Sequence, residues 1–268
     1  MLSSQALDCV LSDPANAAVW RAGELGSSSA QTLDTGYPSL NHVLSGEGWP
    51  VGALVEILQA QAGCQEWGFV APALAAIQSD APAQLTVLVG APHLPFGPAL
   101  GARRVNMQRM LSIQAPAGQA PSLLWATREA LQCADVAAVL AWLPDARSAH
   151  LRRLQIAAHA HNKLLFVFRP LRAQTESSPA PLRLLLEGAV DDGGNLLVHV
   201  LKRRGPPLAA PVLLDTRPAR LSGLIAASRE RLRLKREETS PTLPSFVSAS
   251  PSIAVHALLD RIAHLDHH

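Results

Sequence analysis

An α/β fold with a mostly parallel sheet and an antiparallel edge hairpin follows from three observations. Compact apolar runs at 53–58, 85–89, 136–143 and 164–168 alternate with stretches of helical periodicity, as expected of parallel strands buried on both faces. The first run leads through a loop into a helical pattern, the strand–loop–helix order of a ligand-binding α/β unit. Late in the chain, two alternating apolar runs are joined by Asp191-Asp192-Gly193-Gly194, a strong hairpin signal.

Composition sets the frame. The 268 residues, 48% of them apolar, suffice for one large domain with appendages. A net charge of +2 does not by itself mark a nucleic-acid binder, so any basic site must be local. The three cysteines, Cys9, Cys64 and Cys133, form no CxxC pair, which fits a reducing cytosol and argues against zinc or a disulfide frame. The N-terminus lacks a basic leader with an apolar core. No apolar run reaches the ~20 residues that span a bilayer, so a cytoplasmic protein without membrane contact is expected.

Residues 1–34 read as a helical or loosely ordered lead-in. The core, 35–216, opens with Leu40, Val43 and Leu44 at helical spacing. Gly46, Gly48, Pro50 and Gly52 then break the chain before the strand 53–58. The loop 59–66 leads into a helix over 67–77, where Pro72 predicts a kink or restart. The strand 85–89 ends at Gly90-Ala91-Pro92-His93, and in such a sheet ligands bind at that carboxyl end. A short strand at 111–113, a helix over 122–132 and the strand 136–143 follow.

The spacing next predicts a helix over 146–162 with Leu151, Leu154 and Ala158 inward, then a strand over 164–168. The hairpin strands are 182–187 and 196–202, with a return strand at 211–214. Lys202, Arg203 and Arg204 close the hairpin. Three cations there could meet phosphate or an acidic partner, and protection of an exposed sheet edge explains them equally well. Residues 217–238 form a basic helix ending in RERLRLKREE. A Ser/Pro linker, 239–252, precedes an amphipathic helix over 253–268, whose Leu258, Leu259, Ile262 and Leu265 form one apolar stripe. That stripe either docks on a partner or folds back on the core.

The stretch 35–67 resembles the RecA recombinase family, within it the ATPase-deficient branch that holds ImuA- and SulA-like proteins. Thr35-Gly36, Leu40, Gly46-Glu47-Gly48, Pro50, Gly52 and Val55-Glu56-Ile57 carry the likeness, together with Val19-Trp20-Arg21 and Lys202-Arg203-Arg204-Gly205. In that alignment the two P-loop glycines fall on Gln59 and Cys64, the lysine on Gln65 and the hydroxyl residue on Glu66. The catalytic Glu falls on Pro92 and the metal-holding Asp on Leu140. The resemblance therefore implies a RecA-like core with a degenerate nucleotide site: no enzyme, no cofactor and no metal.

The resemblance also implies a role in damage-induced (SOS), error-prone translesion DNA synthesis. The implied partners are an ImuB-like Y-family polymerase homologue, an error-prone replicative-type DNA polymerase and RecA. Arg147, Arg169 and Arg172 carry over as positions on DNA-facing loops, although the family's loop sequences are not reproduced. Any binding of single-stranded DNA is expected to be weak and non-specific. The alternative is a SulA-type inhibitor of the division protein FtsZ; the basic helix, linker and tail beyond the core favour the first reading.

Overall fold

A computed structural model describes residues 31–116, 118–189 and 194–239. Chain packing separates the protein after Ser222 into two units. The first is the α/β unit, an eight-stranded sheet with a two-stranded ribbon beside it. The ribbon pairs β1 (Thr32–Leu33) with β2 (Trp49–Pro50), antiparallel. Between them lies α1 (Pro38–Val43). The main sheet contains β3 (Leu54–Gln59), β4 (Leu85–Val89), β5 (Met110–Ile113), β6 (Val136–Trp142), β7 (Leu164–Pro170), β8 (Leu182–Gly188), β9 (Asn195–Lys202) and β10 (Val212–Asp215). Its order is β10-β9-β8-β3-β7-β6-β4-β5. The strands from β8 to β5 run parallel, and β9 and β10 add antiparallel at one edge. This is the mostly parallel sheet with an antiparallel edge that the apolar runs predict. The turn 190–193 of the predicted hairpin lies outside the described residues.

The helices cover both faces. Val55 and Ile57 of β3, Leu140 of β6 and Phe166 of β7 turn to the face packed by α1 and α2 (Glu66–Asp80). Leu54, Val139 and Val167 turn to the other, packed by α4 (Ala120–Gln132) and α5 (Ser148–Ala160). Every residue of β3 is buried, as a central strand covered on both faces requires. The indole of Trp49 locks the first face, meeting Phe69 at 5.3 Å and Phe166 at 5.2 Å between ring centroids, both edge to face. A short helix α3 (Gly97–Gly101) follows the loop after β4.

The structure corrects the expectation at Pro72: α2 runs unbroken from Glu66 to Asp80 with the proline inside it. A proline at position 72 cannot donate to the carbonyl of Gly68, four residues earlier. The Tyr37 hydroxyl donates to that carbonyl instead, at 2.5 Å. Gly36, at φ +81°, lets the backbone close on the proline ring; a Cβ there would stand 2.2 Å from the Pro72 Cβ. The Gly36-Tyr37 pair therefore supports the helix around the proline from outside. Burial pushes the Tyr37 phenol up to about 12 from its ordinary 10. Because Tyr37 is the chain's single tyrosine, absorbance at the tyrosinate band should titrate near 12 in the folded protein and near 10 in denaturant. The raised value means that this stabilisation is complete below pH 10 and is lost as pH rises through about 12. Tyr37→Phe should remove the tyrosinate signal and cost about 1–3 kcal/mol in urea unfolding, because the Gly68 carbonyl loses its donor.

α6 (Ala219–Thr239) belongs from Gly223 onward to the second unit. In that unit Leu224, Leu232 and Leu234 are exposed among its charged residues. No helix among the described residues is long and apolar enough to cross a membrane. The linker 240–252 and the stripe Leu258, Leu259, Ile262 and Leu265 lie outside the described residues.

Candidate functional site

The loop between β3 and α2 sits at the carboxyl end of the central strand, where an α/β sheet presents its ligand site. Two features shape it. Gly63 takes φ +88° and lies so close to His93 that a Cβ would stand 2.5 Å from the imidazole Cδ2, so only glycine fits. Glu66 is the first residue of α2, and its side chain turns back into the loop, fully buried.

The carboxylate accepts four hydrogen bonds. Gly63 N–H and Gln59 Nε2 donate to Oε1 at 2.6 Å each, and Trp142 Nε1 donates to the same oxygen at 3.0 Å. Gln65 N–H donates to Oε2 at 3.0 Å. The negative charge also lies at the positive end of the α2 dipole. Backbone N–H groups converging on an anion at a helix N-terminus form the arrangement that holds phosphate in other proteins. Here the anion is supplied by the chain itself.

The surrounding residues close the remaining space. Trp142 stacks on Phe168 at 4.7 Å and meets Trp67 at 6.1 Å, so β6 contributes aromatic bulk beside Glu66. Leu140, at the aligned metal-holding position, is buried in the core facing α2. Pro92 is exposed just past the end of β4, and Cys64 is exposed on the loop. Beside the loop lies a cavity of about 510 Å3 walled by Trp67, Phe96, Arg103 and Arg217. Near that wall, the Arg217 side chain holds the Asp215 carboxyl down to about 2. Among the described residues no group of His, Cys, Asp and Glu is clustered to hold a metal ion.

The arginines separate into different environments. Arg169, expected on a DNA- or partner-facing loop, is 2% exposed and committed internally, which corrects that expectation. Its guanidinium donates to Glu56 Oε1 at 2.9 Å, Glu176 Oε2 at 2.7 Å and the Ala146 carbonyl at 2.6 Å. Arg183 Nε donates to the other Glu56 oxygen at 2.7 Å, and its Nη2 to the Ala173 carbonyl at 2.9 Å. Arg183 stands opposite Glu56 on β8, and Arg169 is one pleat along on β7. The cluster fastens the turn 171–175, which carries the chain from β7 to β8 across β3. The same contacts hold the Glu176 carboxyl below its ordinary value, chiefly through the Arg169 hydrogen bond.

Arg147 and Arg172 are exposed, and Arg172 pairs with Asp145 at 3.0 Å. Lys202 is exposed and donates to the Ser178 carbonyl. Arg203 is half-buried and donates to the carbonyls of Val43 and Pro206, so it is part of the local framework. Arg204 is exposed, its own carbonyl accepting from the Ser45 hydroxyl. Sequence reasoning missed the partners of Glu56. The available signal was a carboxylate inside an otherwise apolar strand, which must be paired when buried.

Fold and loop together define a class: an α/β protein whose strand–loop–helix anion cradle is filled by its own glutamate. No protein-family model and no curated protein matches the chain.

Proposed function

We propose that this protein is a non-catalytic, RecA-like accessory factor of SOS-induced, error-prone translesion DNA synthesis, acting in the cytoplasm by binding partners. The observation that supports the non-catalytic part is the Glu66 carboxylate in the anion cradle, hydrogen-bonded to the N–H groups of Gly63 and Gln65. The likeness of residues 35–67 to the ATPase-deficient RecA branch supports the rest. In this reading the partners are an ImuB-like Y-family polymerase homologue, an error-prone replicative-type polymerase and RecA. Any contact with single-stranded DNA is weak, independent of sequence and salt-sensitive, because it would rest on phosphate contacts from arginine.

Affinity capture with the full chain from damage-induced cells is the test. Recovery of the Y-family polymerase homologue, repeated with the purified pair, is the expected result. Recovery of FtsZ in its place would make the protein a SulA-type division inhibitor and overturn the proposal.

A further inference from the structure

A second concave surface lies at the opposite end of β3 from the Glu66 cradle. It is a groove of about 1190 Å3 at the amino ends of β3 and β8, walled by α5 and by the turn that follows β9. Its composition departs from that of the chain. Among the described residues no Asp or Glu lines it, and the charged side chains that do are Arg203 and Arg204, with His159 contributed by α5. α5 carries no carboxylate along its whole length. Arg152, exposed, stands three residues before the groove residue Gln155 and shares its helix face. A chain close to neutral overall thus places two arginines on the groove, with the carboxylate of exposed Glu47 standing between the lining residues Gly46 and Gly48 in sequence.

The backbone of this turn is held in place before any ligand arrives. Arg203 is fastened to the Val43 and Pro206 carbonyls, and the Arg204 carbonyl accepts from the Ser45 hydroxyl. This fixes the backbone from which the Arg204 side chain projects. The Arg204 guanidinium makes no hydrogen bond or ion pair with a described residue and is exposed.

The choice between anionic polymers follows from what is absent. Among the described residues no Phe, Tyr or Trp lines the groove, so these walls offer nucleic-acid bases no ring to stack on. The walls instead present prolines Pro50, Pro179 and Pro181 and the amides of Gln155 and Asn162, surfaces suited to an extended polypeptide. We infer that this groove is a docking site for an extended acidic peptide segment of a partner protein, with Arg204 as its exposed anchor. The inference rests on the reading that the protein works by binding partners.

The test is fluorescence anisotropy with the full chain and a capped, fluorescein-labelled peptide of alternating Glu and Gly. A Gln-for-Glu peptide and an oligo-dT of equal charge serve as comparisons. Saturable binding of the Glu peptide is expected at low salt, with no binding of the Gln peptide. Arg204→Glu should weaken it about tenfold, and Arg204→Lys should largely preserve it. An unchanged affinity in Arg204→Glu, no saturable binding at low salt, or tighter binding of oligo-dT would each overturn the inference. A chain that ignores the peptide but still captures the polymerase homologue overturns this inference alone. A chain that binds the peptide through Arg204 but captures no such partner overturns only the functional reading.

Discussion

Glu56→Ala should destabilise the α/β unit by about 3–5 kcal/mol, because it leaves the Arg169 and Arg183 guanidinium groups in the interior without their shared carboxylate. Glu56 is fully buried and both its oxygens are bonded, one to each arginine. Glu176 gives Arg169 a residual partner, but that carboxylate is half exposed and reaches only one of the two cations. With a total stability on the order of 5–15 kcal/mol, such a loss would bring the protein near its unfolding threshold. Glu56→Gln should cost less, since one oxygen acceptor survives while the charge does not. Urea unfolding of the three proteins decides the matter. A Glu56→Ala midpoint indistinguishable from the parent would mean that the cluster contributes nothing to stability.

The second large effect concerns Glu66. Mg-ATP should give no heat of binding in calorimetry, because a phosphate entering the cradle would meet a carboxylate already holding its donors. One like-charge pair at ~4 Å and an effective dielectric of ~20 costs roughly 4 kcal/mol, on the order of a thousandfold in affinity. Gln65→Lys alone should restore neither binding, since Glu66 remains in place, nor turnover, since Pro92 offers no base. Glu66→Ala should be destabilised by about 2–4 kcal/mol, because the donors on Gln59, Gly63, Gln65 and Trp142 lose their common acceptor. Inorganic phosphate or sulfate should then raise the melting temperature of Glu66→Ala and leave the parent unmoved. Tight Mg-ATP binding by the parent protein would refute the self-filled cradle. So would a Glu66→Ala variant as stable as the parent and indifferent to oxyanions.

Much of the architecture was legible in the chain because its signals are local. An apolar run such as 136–143 reads as a strand from its own residues, and β6 is observed at Val136–Trp142. The runs 85–89 and 164–168 became β4 and β7 in the same way, and a hairpin edge was readable from two alternating segments with turn residues between them. The departure of the 59–66 loop from the phosphate-binding pattern was also legible, because it depends on which side chains are present.

The tertiary structure decided matters that depend on residues distant in sequence. Glu66 points inward to donors on its own loop, Gln59, Gly63 and Gln65, and to Trp142, 76 positions away, which only the folded sheet brings to it. Arg169 and Arg172 are three residues apart and look alike in sequence. Strand β7 carries the first into the core against Glu56, 113 positions earlier, while the second emerges on the surface with Asp145. Pro72 is a helix breaker by local rules. It is tolerated because Tyr37, far upstream, supplies the donor to the Gly68 carbonyl. Local sequence thus determined which segments form strands and helices and which chemistry the loop lacks. The long-range pairing of buried polar groups, which water would otherwise satisfy, was settled only when the sheet brought those partners together.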